Sequence, residues 1–344
     1  MNSKNLELAF LHSWSNIIVW TACLVAAFSD NFSTELRAAA PLRFVESIPL
    51  QGVEGRIDHM ALDSTGQRLF VAALGNNTVE VINLKSHKVV QSIRDLREPQ
   101  GVAFLKDLGL IAVANGDDGS VRFFDTESYH ATGSLDFQPD ADNLRYDPVK
   151  QRLYVGFGNG AIGVIDAATK KRLGDIKLAA HPESFQLEAK GTRIFVNVPE
   201  AGHVEVINRE KSAVVAKWPL KTASANFPMA LDEANHRLFI GCRKPARLLV
   251  LDSDTGVTIK SMNVAGDTDD VFYDAAAKRI YVSGGEGLVA IISQNDADNY
   301  DVVGKLTTAP GARTSFFAAK SRMLYVAVPH RGKQEAEIRI FVAQ

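Results

Sequence analysis

Asn143–Asp166 reads NLRYDPVKQRLYVGFGNGAIGVID, and the fold follows from how this stretch divides. Asn143–Tyr146 alternates as a short strand, and Asp147-Pro148-Val149-Lys150 is a polar turn with a proline inside it. Arg152–Phe157 is a second strand, Gly158-Asn159-Gly160 a tight turn, and Ala161–Asp166 a third strand. β-branched and aromatic residues in runs of five or six suit a pleated, half-buried surface, and Gly, Pro, Asn and Asp punctuate them. Asn-Gly between two such runs is a strong hairpin signal, because the tight turn needs positive φ at its centre.

The same phrase recurs along the chain. Anchored on the second-strand dipeptide, the copies are Leu69-Phe70, Leu110-Ile111, Leu153-Tyr154, Ile194-Phe195, Leu238-Phe239, Ile280-Tyr281 and Leu324-Tyr325. Their spacing stays near 42 residues, a period that belongs to four-stranded propeller blades. Calling the strands of each copy a to d, the first copy has a at Ile57–Leu62, b at Arg68–Leu74, c at Thr78–Leu84 and d at Val89–Asp95. The seventh copy has a at Thr314–Phe317, b at Met323–Val328 and c at Glu337–Ala343, and then the sequence stops. Leu42–Leu50 has no a to c of its own and resembles a d strand. We therefore expect an all-β, seven-bladed β-propeller over residues 41–344, closed by the N-terminal strand completing the last blade. Closure removes exposed sheet edges.

LYVGFGNGAIGVIDAATKK and LFVAALGNNTVEVINLKSHKV resemble the YVTN-repeat family of propellers, whose units run like LYVTN…NTVSVID-T. The resemblance covers about residues 41–344 and implies an extracytoplasmic propeller; many members of that family have no assigned activity. The tetrapeptide drifts here to FVAA, AVAN, YVGF, FVNV, FIGC, YVSG and YVAV. The second copy also lacks the acidic turn residue described below.

Lys+Arg 38 against Asp+Glu 40 leaves a formal charge of -2 in 344 residues, so no basic stripe argues for nucleic acid. Cys23 and Cys242 fall in unlike segments, and no disulfide is expected. Ile17–Phe28 is an apolar run of twelve, short of the ~20 residues of a membrane span. It suits the core of a signal peptide, with Ala38-x-Ala40 or the region Ala26–Ser29 as the cleavage site; an uncleaved extension is the alternative. Residues 1–40 are thus read as a signal peptide or anchor with a short linker, and the protein as periplasmic or secreted and monomeric.

Two registers of acids accompany the repeat. Asp63, Asp147, Glu188, Asp232 and Asp274 stand six residues before their anchors, in a–b turns, where turn formation accounts for them. Five residues further upstream, where d meets a, stand Asp58, Gln100, Asp142, Glu183, Phe227, Asp269 and Arg313. The next position holds His59, Gly101, Asn143, Ser184, Pro228, Asp270 and Thr314. Two residues before the first set stand Arg56, Glu98, Asp140, His181, Ala225, Asp267 and Gly311. Blades converge on an axis, so these side chains should form a polar collar at its mouth.

Asp58, Asp142, Glu183 and Asp269 are candidate ligands for a divalent cation. Ca²⁺ or Mg²⁺ would take the oxygen set, whereas Zn²⁺ would prefer His59, His181 and one carboxylate. Arg56, Asp58, Asn143, Arg145, Asp270 and Arg313 are candidate ligand-binding residues, and His59 and His181 candidate proton carriers. Arg243, Lys244, His330 and Arg331 in the b–c loops read as solvated turn polarity on the same face. No nucleophile-elbow, zincin, phosphate-loop or dinucleotide motif occurs. The leading expectation is a binding or interaction propeller that takes a small molecule or protein at the axial mouth. The alternative is a cation-dependent hydrolase, lactonase or lyase using the same collar.

Overall fold

The computed structural model describes residues 40–344. The apolar run Ile17–Phe28, Cys23, the Ala26–Ser29 cleavage region and Ala38 and Ala39 of the other lie outside the described residues. Within them the chain folds into seven four-stranded antiparallel sheets, with no α-helix and three short 3₁₀ turns. No helix among the described residues is long and apolar enough to cross a membrane.

Each sheet is one blade, and its order follows the chain in the first six. In the seventh, Leu42–Pro49 pairs with Glu337–Ala343, which pairs with Met323–Val328 and then Ser315–Ala318. The N-terminal strand therefore closes the ring as its d-like composition predicts. Its pairing carries a second signature. Every outer strand holds a one-residue bulge against its c strand, between Val81 and Ile82 of blade 1, for example, and between Val164 and Ile165 of blade 3. Leu42–Pro49 has the same irregularity, between Phe44 and Glu46. A bulge steepens the twist and spoils an edge for pairing with another chain. The bulged residues Val45, Val90, Leu173, Val215 and Val303 are among the exposed large hydrophobics, which accounts for apolar side chains on the rim.

The core lies between blades rather than within one. Side chains of a strand point alternately to its two faces. In Arg68–Ala73, Leu69 and Val71 pack with Ile338 and Ile340 of blade 7, while Phe70 packs with Val102 and Ile111 of blade 2. A b strand is buried on both faces, so its sequence reads as a continuous apolar run. Buried clusters of this kind fill all seven interfaces around the ring.

On the a–b and c–d face, the arginine before the anchor ties neighbouring blades. Arg68 donates to Thr126 O (2.5 Å), Arg193 to Ser253 O (2.6 Å), Arg237 to Ala297 O (2.9 Å) and Arg279 to Gln344 O (2.6 Å). Between blades 3 and 4 the tie runs backwards, from Arg209 to Asp147 at 2.8 Å. Cys242 is a buried free thiol, pushed up to about 12 by burial.

Candidate functional site at the axial mouth

The strands nearest the axis are the short a strands, and the loops that enter them set the site. Five of those loops turn through a left-handed residue two positions before the mouth register: Glu98, Asp140, Ala225, Asp267 and Gly311. Asp and Gly tolerate that conformation better than most residues. Asp140 and Asp267 thus owe part of their identity to backbone geometry.

Asp58, Gln100, Asp142, Glu183, Phe227, Asp269 and Arg313, one from each blade, line a single pocket of about 210 Å³. Arg56, His59, Asp140, His181 and Arg243 complete it. Beneath it a channel cavity of about 420 Å³ runs between the a strands. His59 lines both and stands at the neck. Below the neck Arg145, Ser184, Asp270 and Ser315 form a polar belt, followed by Leu62, Phe104, Leu231, Phe272 and Phe316.

His59 sits inside an acid triangle. Its Nε2 is 3.7 Å from Asp58 and 3.9 Å from Asp142, and its Nδ1 is 3.6 Å from Asp270. Burial alone would lower its pKa, but Asp270, Asp58 and Asp142 outweigh that and raise it to about 10. The neck therefore carries an imidazolium at neutral pH.

The carboxylates differ in their partners. Asp58 accepts from Arg56 at 2.6 Å, and the same guanidinium lies 4.0 Å from Asp269 Oδ2. Asp58, foremost, holds the Arg56 pKa above its ordinary value. Asp269 accepts from Arg243 at 2.5 Å, and Arg313 reaches Asp267 at 3.0 Å. Asp142 takes only the Asn143 amide at 3.2 Å, besides its long approach to His59. Among the described residues, no ion pair holds Glu183. Asp142 Oδ1 and Asp269 Oδ2 are buried without a hydrogen-bond partner, as is Asn143 Oδ1.

Burial first, and then neighbouring acids, raises the proton affinity of three of these groups. Asp269 is pushed up to about 7, with Arg243 and His59 opposing. Asp142 is raised by burial against the opposing charge of His59. Glu183 is raised well above the usual carboxylate range by burial and by Asp142 and Asp269.

His181 Nδ1 lies 2.7 Å from Gly158 O and 3.4 Å from Asp140. A carbonyl only accepts, so Nδ1 carries the proton. Nε2 is then the acceptor in the neutral ring. Arg145 lies deeper than the mouth. It donates to Leu144 O at 2.8 Å and Ser184 Oγ at 3.3 Å, and stands 5.5 Å over the Phe185 ring. Burial pulls its pKa below the ordinary guanidinium value. Asp270 accepts from the Ser315 backbone N–H at 2.8 Å and so joins blades 6 and 7.

Arg243 corrects the expectation of solvated loop polarity. It is mostly buried, 3.5 Å over the Phe227 ring, with Asp269 and Thr268 O as partners. The signal available in the sequence was Phe227 at a mouth position where most blades carry a polar group. Gln100, Asp140 and Asp267 also belong to the site, with Gln100 donating to Asp140 at 3.1 Å.

Among the described residues, no three His, Cys, Asp or Glu side chains converge as a metal-ligand set. Guanidinium groups already occupy Asp58 and Asp269, two of the four proposed ligands. The donors as arranged do not fit a divalent ion.

No family model matches the chain. The uncharacterized protein YncE of Salmonella typhi is 26% identical over 266 residues, which span 73% of this chain and 74% of that protein. YncE of Salmonella typhimurium is 25% identical over the same shares. Among solved structures, a chain of the Kuenenia stuttgartiensis hydrazine synthase superposes with a TM-score of 0.72 at 14% identity, covering 81% of this chain and 95% of that one. A chain of the mitotic checkpoint complex gives 0.75 at 14% identity, covering 95% and 99%. At such identities these likenesses speak for the propeller fold alone.

Proposed function

We propose that this protein is an extracytoplasmic binding propeller whose ligand enters the axial mouth and reaches into the channel below. One observation carries the reading. Seven blades each place one side chain around a single mouth, and buried oxygens of Asp142 and Asp269 there lack a hydrogen-bond partner. Buried polar groups are ordinarily satisfied, and exceptions gather where a ligand completes them. The belt of Arg145, Ser184 and Asp270 above an apolar floor extends that seat into a pocket with few, convergent polar groups. Extracytoplasmic placement is supported by the apolar run Ile17–Phe28 and by the resemblance to YVTN-repeat propellers. Amino-terminal sequencing of the mature protein checks it: a start between Ala27 and Pro41 is expected, and an intact Met1 in an exporting host contradicts it.

The cation-dependent hydrolase, lactonase or lyase reading draws on the same acids. It would need Asp58 and Asp269 released from Arg56 and Arg243, so no catalytic step is derived through a metal.

A thermal-shift screen of small amines, carboxylic acids, sugars and divalent salts tests the binding reading. At least one class should raise the melting temperature of the wild type and leave Asp142→Asn unmoved. A panel that stabilises neither protein, or both equally, overturns the mouth as the seat.

A further inference from the structure

The mouth is electrically lopsided. Its guanidinium groups come from Arg56 entering blade 1, Arg243 of blade 5 and Arg313 entering blade 7. All three are committed to Asp58, Asp267 or Asp269. Across the axis, blades 3 and 4 bring Asp140, Asp142, His181 and Glu183. No Lys or Arg reaches any of these four within ion-pair distance among the described residues. Asp142 lines the pocket at 6% exposure, and its Oδ1 is buried without a hydrogen-bond partner, 3.9 Å from His59 Nε2. His181, fixed through Nδ1 to Gly158 O, lines the same wall. The wall is thus acidic and has no Lys or Arg of its own, its nearest cation being the His59 imidazole 3.9 Å from Asp142 at the neck.

We propose that the wall formed by Asp142, Glu183 and His181 is a seat for the protonated amine of a small organic ligand. The inference rests on the mouth being the binding site and names the chemistry it would take. Three observations favour an ammonium over a divalent ion. The acids do not converge as a metal-ligand set, whereas an alkylammonium needs only two or three separated acceptors for its N–H groups. The pocket of about 210 Å³ holds a headgroup with a few carbons. The channel floor beneath offers Leu62, Phe104 and Phe316 to an alkyl tail that passes the neck.

Titration calorimetry on the full propeller at pH 7.5 tests this with n-butylammonium, tetraethylammonium, butyrate and calcium chloride as probes. The amine should bind saturably and weaken at least tenfold in Glu183→Gln and in Asp142→Asn. Glu127→Gln, on an exposed turn of the opposite face, should leave it unchanged. Tetraethylammonium, with the same charge and no N–H, should bind at least tenfold more weakly than the amine. Equal binding of the two cations, or amine binding indifferent to both mouth variants, overturns the proposal. Saturable butyrate or calcium binding without amine binding overturns the amine class and leaves the mouth standing as a site. Silence from every probe counts against the amine seat, and a blank thermal-shift panel then removes the mouth reading as well. The two wild-type cation titrations decide the matter even where a variant fails to fold.

Discussion

Two sets of carboxylates run through this propeller, five residues apart in the four repeats that carry both, and they have opposite chemistry. In the a–b turns the acids are enclosed by donors, save for Asp274 Oδ2, which has no hydrogen-bond partner and lies 3.5 Å from Arg322. Asp63 accepts from Thr65 Oγ1, the Gln67 N–H and Arg68, and Glu188 takes the Arg193 N–H and two of its guanidinium nitrogens. Burial opposes ionisation of Asp63, but those donors outweigh it and hold its pKa below the usual range. At the mouth, burial wins because Asp142, Glu183 and Asp269 have too few donors, and their pKa values rise. The same residue types at a fixed offset are fasteners on one face and an unfinished site on the other. What separates them is local donor count together with depth: both rings are largely shielded from water, but the mouth acids lie deeper in the protein than Asp63 and their charge costs more.

The largest test of this contrast removes the circle both rings share. Deleting Leu42–Pro49 leaves Glu337–Ala343 as a bare edge and uncovers Ile338 and Ile340. The protein should unfold at room temperature or aggregate, as read by circular dichroism and light scattering. A soluble deletion with an unchanged melting temperature would rule out closure by this strand.

Next in size is the fastener ring. Glu188→Ala removes three hydrogen bonds from Arg193, charge-assisted ones being worth ~1.5–3 kcal/mol each before relaxation. Partial rescue by Asp254 and Ser253 O, which Arg193 also contacts, leaves an expected loss of about 3 kcal/mol in urea unfolding. At the mouth the sign reverses. Asp142→Asn deletes a charge that burial disfavours, so stability at pH 8 should be unchanged or rise by about 1 kcal/mol. A loss of the size seen for Glu188 would erase the distinction between the rings.

These contrasts were only partly legible in the sequence. The period, the anchors and the d-like Leu42–Leu50 were enough for seven blades and their closure, because blade pairing is local and alternation is strict. The mouth register was legible too, since counting eleven residues back from the anchor reaches six residues that share one pocket, and ten back in the shorter second repeat reaches the seventh, Gln100. Partners were not legible. Nothing in the spacing says that Arg243, near the end of the b strand Arg237–Lys244, swings over Phe227 to hold Asp269, or that Arg56 bridges Asp58 towards blade 6. Those pairings depend on side-chain reach across blades. They turn a symmetric-looking collar into a donor-rich half and an acceptor-rich half, and weaken the metal-ligand expectation.

A smaller effect lies in pH dependence. A raised native pKa means the proton favours the folded state, so stability is present below the unfolded pKa and is lost as pH rises through the native one. For Asp269 that window runs from 3.8 to about 7, and for His59 from 6.5 to about 10. Asp63 acts oppositely, its contribution vanishing only as pH falls below its unfolded value of 3.8. Between pH 5 and 8, Asp269→Asn should flatten the decline in unfolding free energy seen for the wild type. An identical slope in both proteins would show that Asp269 does not titrate there.

The most direct measurement of the difference between the rings is carboxyl ¹³C NMR across pH 2 to 9, with Asp63, Asp142, Glu183 and Asp269 assigned by their Asn or Gln variants. Asp63 should titrate below the ordinary aspartate range, Asp269 near 7, and Asp142 and Glu183 above their ordinary values. If all four titrate together near pH 4, the mouth is a solvated rim like any other, and the central claim fails.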